Sequence, residues 1–511
     1  MNKSKPNPLT WKSFPWHAFL FAVYPILALL ANNIIQVVPE VVWEPLAVSV
    51  ASAGILLVLL WLVFRDWQRA ALLTTILLVL FFSYGHVYTL LKAIQVSGFF
   101  LFRHRTLIPL WAVLAGLGIL WTRRKKWNPQ NITTILNIIG LGLLAFPIIQ
   151  ISTSVWRQQA AFQNIPASYE LSNGQPLVKN RPDIYYIILD AYGRSDRLQE
   201  LYQYDNSAFL ASLEEMGFYV ADCSQSNYAQ TELSLASSLN FNYLEALSDE
   251  IVPTSDDRSP LWPLIKYSTL RQFLELQEYK VVAFETGYYW TQLEDADLYL
   301  TPLSSGWQLN EFDYLLIRST AGRILFDVPG PSVTDSSSEL ARRRTTSALA
   351  QLAEMPSING TKFVFAHLVI PHPPFVFGPN GESLIALTLE DMSSEDYARG
   401  YIDQTIYINA EIERLVAKII ARSPTPPIII IQGDHGPTLA VGAGRMDILN
   451  AYYLPGVEAP LYESISPVNT FRVVLNTYFG QDLPLLPDVS RYSTYEAPYD
   501  FQEIPNICTG R

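Results

Sequence analysis

Five apolar runs occupy the first third of the sequence, at about residues 18–38, 45–64, 70–91, 106–121 and 132–151. Most approach the ~20 residues that a helix needs to cross a bilayer. A backbone in lipid must satisfy its own hydrogen bonds, so runs of this kind form transmembrane helices. The mean hydropathy of +0.16 agrees with this. We therefore predict a bundle of about five transmembrane helices over residues 1–155. The alternative is a soluble bundle of buried helices.

Basic residues predict the orientation of these spans. Three groups of Lys and Arg fall on one side of the membrane if there are five spans, and the other side carries Glu40, Glu44 and fewer basic residues. Since Lys and Arg concentrate in cytoplasmic loops, we expect a cytoplasmic N-terminus and an extracytoplasmic chain beyond about residue 152, in a bacterial-type plasma membrane. The three groups are Lys3, Lys5 and Lys12; Arg65 and Arg69; and Arg123, Arg124, Lys125 and Lys126.

A second domain follows a polar linker at residues 156–181. Over residues 182–511, short apolar runs alternate with amphipathic segments, which predicts an α/β fold with a mostly parallel sheet and helices on both faces. The net charge of −12 argues against nucleic acid as a partner. The predicted strands are 183–189, 280–284, 362–366, 428–431 and 451–454, and the predicted helices are 206–216, 337–353, 401–421 and 467–478.

Potential metal or acid–base residues follow three of these strands. The run at 427–436, P-I-I-I-I-Q-G-D-H-G, ends in Asp434 and His435; Asp190 follows another strand, and His367 and His372 follow a third. In open α/β sheets, chemistry collects beyond the carboxyl ends of the strands, and a carboxylate with an imidazole suits a divalent metal. Each residue alone also has a structural alternative, such as a helix N-cap or a loop position.

A nucleophile is expected in residues 226–240, S-N-Y-A-Q-T-E-L-S-L-A-S-S-L-N. This stretch predicts a loop that leads into a helix with Thr231 at its start. A helix N-terminus attracts anions. Thr231 is therefore either a nucleophile or an N-cap.

In order along the chain, I-I-L-D-A-Y-G, Q-T-E-L-S-L-A-S-S-L, P-H-P-P-F and G-D-H-G resemble the motifs of the sulfatase-like branch of the alkaline phosphatase superfamily. Thr231 stands where sulfatases carry the cysteine that becomes formylglycine. The branch with threonine there comprises lipoteichoic acid synthases and phosphoethanolamine transferases, which also place an extracytoplasmic catalytic domain after five spans. Ala191 follows Asp190, where sulfatases usually have a second Asp.

The resemblance implies specific roles for these residues. Asp190, Thr231, Asp434 and His435 would bind one divalent metal ion, Mn²⁺, Mg²⁺ or Zn²⁺, and Thr231 would be the nucleophile. His372 would contact the phosphate or protonate the leaving group, with His367 as a second candidate.

The implied function is a membrane-anchored enzyme that transfers or hydrolyses a phosphate-type ester. A membrane lipid or lipid-linked donor and an envelope glycan or lipid acceptor would be its partners. A phosphodiesterase or an atypical sulfatase is the alternative within the same class. A non-catalytic protein that binds glycan or lipid is the alternative of another class.

The two cysteines, Cys223 and Cys508, both lie in the part placed outside the membrane, where disulfides persist. They are either bridged, which would pin the chain end beside the segment preceding Thr231, or two unrelated thiols.

The basic-residue pattern predicts that the C-terminus lies outside the cytoplasm. In a bacterial host, alkaline phosphatase fused after Arg511 should therefore be active. Green fluorescent protein fused there and exported by the general secretory route should be dark. The reverse pattern would contradict this topology.

Overall fold

The protein is described here by a computed structural model. It covers residues 14–34, 37–92, 94–96, 99–100, 103–124, 128–163, 171, 181–302, 309–326, 334–387, 392–437, 440, 442–456 and 458–508. The chain forms two compact units. The first comprises Met1–Trp156 and Gln308–Ser337, and the second comprises Arg157–Trp307 and Ser338–Arg511.

The first unit contains five apolar helices from the N-terminal part of the chain. Four of them are long and apolar enough to cross a membrane, and the first is apolar but has only 17 residues. The predicted N-terminal helical region is thus confirmed. The helices are α1 His17–Asn33, α2 Trp43–Phe64, α3 Trp67–Leu91, α4 His104–Thr122 and α5 Pro129–Gln163, and a small antiparallel pair, β1 Gln95–Val96 and β2 Phe99–Phe100, lies between α3 and α4.

Helix α5 continues through residues 156–163, which the sequence interpretation placed in the linker. Most of the remaining linker, residues 164–170 and 172–180, lies outside the described residues. The second unit begins its sheet directly after this stretch.

A seven-stranded sheet forms the centre of the second unit, in the order β4-β9-β8-β3-β7-β5-β6. The neighbours β8, β3, β7, β5 and β6 run parallel, whereas β9 is antiparallel to both β8 and β4. The predicted mostly parallel sheet is confirmed. The strands are β3 Ile184–Leu189, β4 Tyr219–Val220, β5 Lys280–Phe284, β6 Leu298–Leu300, β7 Lys362–Leu368, β8 Ile428–Gly433 and β9 Asn450–Tyr453.

Helices cover both faces of this sheet. Tyr185 and Ile187 point to one face and pack with α7, α13 and α14, whereas Tyr186 points to the other, where its hydroxyl donates to Ser238 of α8 and its ring meets Phe471 of α16. The remaining elements are α6 Ser195–Tyr202, α7 Ser207–Glu215, α8 Thr231–Leu239, α9 Leu261–Lys266, α10 Thr269–Leu276, α11 Glu311–Ser319, α12 Arg323–Phe326, α13 Thr334–Leu352, α14 Ser394–Arg422, α15 Ala443–Met446, α16 Pro467–Phe479, β10 Ser490–Tyr492 and β11 Gln502–Ile504, with short 3-10 helices at Pro39–Val42, Leu244–Ala246, Tyr289–Thr291 and Met355–Ser357.

The isoleucine run forms β8 as expected. Its four isoleucines are fully buried, and Ile429 and Ile431 belong to the core cluster under α14. A fully buried side chain of this size contributes roughly 1.5–3 kcal/mol, so this strand is a principal source of stability for the sheet that carries the site.

Helices α11 and α12 belong to the first unit, although the sequence analysis placed them within a domain at 182–511. Phe312 of α11 is buried against Ile26, Leu30 and Val42. The chain therefore leaves the second unit after β6 and re-enters it with α13.

Cys223 and Cys508 form a disulfide, which confirms the bridged alternative. The Asn506 side chain also donates to the Cys223 carbonyl oxygen at 2.7 Å, and Arg194 contacts Asn506. The chain end is thus held beside the loop that leads to Thr231.

The bridge predicts that the folded protein has no reactive thiol. A maleimide reagent should label neither cysteine before reduction and both after it, as measured by peptide mass spectrometry. Labelling of Cys223 without prior reduction would contradict the bridge.

Candidate metal and active site

The candidate site lies at the carboxyl ends of the three central parallel strands. Asp190 follows β3, Asp434 and His435 follow β8, and His367 lies near the end of β7, opposite Ile188. The strand register places these residues at one sheet edge, as the sequence predicted.

Three side chains at this edge could hold a metal ion. The ligand atoms of Asp190, Asp434 and His435 all lie within 4.8 Å of one another, and all three residues are buried. His435 Nε2 is 3.7 Å from Asp190 Oδ1 and 3.6 Å from Asp434 Oδ2. These two carboxylate oxygens are buried without a hydrogen-bond partner. Because unpaired buried charge is costly, the donor set fits a divalent cation.

The orientation of His435 suits it as a ligand. Its Nδ1 lies 2.8 Å from the Gly436 carbonyl oxygen. That carbonyl can only accept, so Nδ1 carries the proton and Nε2 presents a lone pair to the site. Burial and the nearby charge of Arg445 hold the pKa of His435 well below its usual value, which keeps the imidazole neutral.

The two carboxylates have opposite pKa shifts. Burial and the charge of Asp190 raise the pKa of Asp434 to about 6. Burial also acts to raise the pKa of Asp190, but the electrostatic interaction with His372 and the hydrogen bond to His367 outweigh it, so that pKa falls below its usual range. Without a cation, the pair therefore resists carrying two negative charges at once.

A left-handed residue connects the two carboxylates. Ala191 has φ of 65°, a region that costs an L-residue about 1 kcal/mol or more. In this conformation its N–H donates to Asp434 Oδ1 at 2.9 Å, and its carbonyl oxygen accepts from Tyr401 at 2.8 Å. A Cβ on Gly433 would lie 2.5 Å from the Tyr192 carbonyl oxygen, so the close approach of the two strand ends requires glycine there.

His367 lies beside Asp190. Its Nε2 is 3.2 Å from Asp190 Oδ2, and its ring is next to Trp290. This buried imidazole is placed to orient the Asp190 carboxylate.

Thr231 is the first residue of α8, and the N-cap is Gln230, whose side chain makes no capping bond. The Thr231 hydroxyl lies 3.1 Å from His435 Nε2. Thr231 is therefore not the N-cap. Its hydroxyl points towards the three candidate metal ligands, Asp190, Asp434 and His435, which we call the metal group. The helix end where it lies favours anions.

Both neighbours of Thr231 are held by one buried guanidinium. Arg258 donates to Glu232 Oε2 at 2.8 Å and to Gln230 Oε1. Burial raises the pKa of Glu232, and the Arg258 charge partly offsets this. The start of α8, and with it the Thr231 backbone, is thus fixed on both sides.

Two further basic residues border the site. His372 is partly exposed; its backbone N–H donates to the Asp190 carbonyl oxygen at 3.1 Å, and its ring centroid is 6.5 Å from that of His435. Arg445 of α15 approaches His435 Nε2 at 3.2 Å and donates to the Ala229 carbonyl oxygen. Sequence analysis missed Arg445 because only the fold brings it near the motifs.

No protein-family model matches the sequence, and no curated protein matches it. Among solved structures, the chain is similar to the C-terminal periplasmic domain of EcEptC from Escherichia coli in complex with zinc (TM-score 0.44, 12% identity, 66% of this chain and 96% of that one). It is also similar to the integral membrane protein lipooligosaccharide phosphoethanolamine transferase A from Neisseria meningitidis (0.41, 11%, 91% and 95%). A third match is a 2-O GAG sulfatase (0.38, 11%, 60% and 72%).

These matches fall in the enzyme classes that the ordered motifs resemble.

The ligand geometry predicts that Asp434→Ala abolishes metal binding. The substitution removes one of three closely spaced donors and half of the negative charge. Metal content per folded protein, measured by plasma mass spectrometry, should fall to background. Asp249→Ala, at an exposed aspartate, is the matched control and should retain metal.

Metal affinity should also fall as the pH drops through about 6, because Asp434 then takes up a proton that the cation must displace. Metal retention by Asp434→Ala, or an affinity independent of pH between 5 and 7, would contradict this assignment.

Proposed function

We propose that this chain is a membrane-anchored, metal-dependent enzyme of the sulfatase-like branch of the alkaline phosphatase superfamily. It transfers or hydrolyses a phosphate-type ester, with Thr231 as the nucleophile. The observation that carries the proposal is the 3.1 Å separation of the Thr231 hydroxyl from His435 Nε2, beside two buried carboxylates. A binding protein has no need of a hydroxyl at this position, which argues against the non-catalytic alternative.

A divalent cation held by Asp190, Asp434 and His435 would lower the pKa of the adjacent hydroxyl and offset charge on the ester oxygens. The residues of the chain then have distinct tasks. His435, as a ligand through Nε2, would hold the cation beside the Thr231 hydroxyl, and the helix start directs backbone N–H groups towards an anion.

The reaction would proceed in two displacements. Thr231 Oγ1 loses its proton to solvent and forms a bond to phosphorus, and the bond from phosphorus to the leaving oxygen breaks, with a proton supplied to that oxygen by His372. An acceptor alcohol or water then gives its proton to His372 and attacks phosphorus, the bond to Oγ1 breaks, and the threonine oxygen takes up a proton from solvent.

Arg445 and His372 complete the anion environment. Both are less buried than the three metal-group residues, so they face the side from which an ester would arrive. The guanidinium of Arg445 would neutralise one ester oxygen, and its hydrogen bond to the Ala229 carbonyl oxygen keeps it near Thr231.

The helices of the first unit suggest where the substrate comes from. Four helices of membrane-spanning length would hold the enzyme at a bilayer with the second unit outside the cytoplasm. A membrane lipid or lipid-linked donor, and an envelope glycan or lipid acceptor, are the substrates we propose. Water as acceptor would make the enzyme a phosphodiesterase instead, and mass spectrometry of products formed with membrane lipids distinguishes the two.

The nucleophile assignment predicts that Thr231→Ala loses turnover while it keeps its fold and its metal. Loss of a covalent nucleophile lowers the rate on the order of 10³-fold or more, whereas Thr231 is not the N-cap of α8 and alanine is a better helix former than threonine, so the fold should be kept. Turnover and thermal midpoint of the metal-loaded variant measure the two effects, and peptide mass spectrometry of trapped enzyme should find phosphorylated Thr231.

Two variants serve as matched controls. Thr231→Ser keeps a hydroxyl and should retain part of the activity. Ser234→Ala removes the hydroxyl three residues further along α8 and should remain active. Substantial turnover in Thr231→Ala, or its loss only in Ser234→Ala, would reject Thr231 as the nucleophile.

A further inference from the structure

The stretch at residues 309–326, which comprises α11 and α12, forms one surface of the first unit, and we refer to it as the interface segment. It follows β6 in the chain, yet its contacts are with the apolar helices. Phe312 is 1% exposed and packs against Ile26, Leu30, Ile34 and Val42. These residues lie in the C-terminal half of α1 and just before α2, so the segment sits at that end of the helical unit.

The same end of α3 and α4 receives the rest of the segment. Ala321 N–H donates to the Phe81 carbonyl oxygen at 2.7 Å. A Cβ on Gly85 would lie 2.2 Å from the Arg318 carbonyl oxygen, so only glycine permits this approach. We call this contact of the segment with Phe81 and Gly85 the seat, and it fixes the segment on the last turns of α3.

Aromatic and basic residues surround this seat. Ala321 and Ile324 pack against Tyr84, Tyr88 and Trp111. Arg323 donates to Thr89 Oγ1 at 2.8 Å and lies over the Tyr88 ring. Tyr, Trp and Arg at the end of a membrane-spanning helix are typical of the level where lipid headgroups meet acyl chains.

Two leucines of the segment are exposed. Leu315 and Leu325 are 39% and 69% exposed, and Phe81, which the segment contacts, is 44% exposed. Phe81 belongs to α3, which also exposes Val79 and Leu90. A helix that presents leucines outward at this level is suited to lie in the bilayer interface.

We propose that the interface segment is embedded in the lipid leaflet at this end of the helices. Leu315 and Leu325 contact acyl chains, and the segment is held by its seat on Gly85. The partner is the phospholipid leaflet itself, because the segment that carries the exposed leucines packs on α3 and α4, which are long and apolar enough to span a bilayer. This proposal does not depend on the proposed activity.

A single fluorescent probe tests it. Both native cysteines are in the disulfide, so one introduced cysteine is the only free thiol for bimane. Leu325→Cys in nanodiscs should be quenched by phosphatidylcholine carrying a doxyl group on its acyl chain and shielded from aqueous iodide. Val58→Cys, exposed in the middle of α2, is the lipid-facing reference, and Leu276→Cys, 75% exposed in the second unit, is the aqueous reference.

Gly85→Ala tests the seat. Added to Leu325→Cys, it should cause a loss of doxyl quenching and a gain of iodide quenching. Gly116→Ala is the matched control, because a Cβ there meets nothing within 4 Å, and it should change neither signal. A Leu325 probe that iodide quenches would overturn the proposal, as would one shielded from both quenchers, which would indicate protein cover. Equal quenching in the two glycine variants would overturn the seat on α3.

Discussion

Two carboxylates buried side by side are the constraint on which the arrangement of the site depends. Asp190 and Asp434 both face His435, and each has an oxygen without a hydrogen-bond partner. Such a pair is costly in a protein interior unless a positive charge joins it. The opposite pKa shifts of the two residues express that cost. A divalent cation between the two carboxylates would remove this unfavourable interaction. The two carboxylates lie together because β3 and β8 are neighbours in the sheet.

The surrounding structure keeps this unfavourable arrangement in place. The left-handed Ala191 directs a backbone N–H at Asp434, and Tyr401 of α14 holds the carbonyl of the same residue. On the opposite side, Arg258 fixes Gln230 and Glu232 around Thr231. The buried ion pair of Arg258 and Glu232 adds little net stability on general grounds. Instead, the ion pair helps to fix the backbone at Thr231, which restricts where the Thr231 hydroxyl can point.

The sequence predicted what depends on local pattern. Strand-like apolar runs ending in Asp190, His367 and Asp434 were enough to place these residues at one sheet edge, and the apolar runs were enough for the helical unit. The sequence also predicted a strand at 451–454, which is β9, but its antiparallel direction was not predictable, because the pairing with β8 is set by tertiary contacts. Arg445 was missed for the same reason, since no motif connects α15 with Thr231. The packing of residues 309–326 on the first unit was also missed, because α11 is short and only moderately apolar. The need for glycine at position 85 can be recognised only once the residue that contacts it is known.

Because residues 309–326 belong to the first unit, that unit can be completed before the second one during synthesis. Strand β7, which joins β3 to β5 and β6, follows the interface segment in the chain, and β8 follows later still. Until β7 is made, β3 has neither of its partners and the pair β5–β6 has no sheet to join. Domains are built from the N-terminus during translation, so residues 309–326 emerge while β3, β4 and the pair β5–β6 are still three separate pieces of the sheet. The helical unit can thus bind its last element before the ligand-bearing strands come together, and the metal group can form only after that anchorage is available.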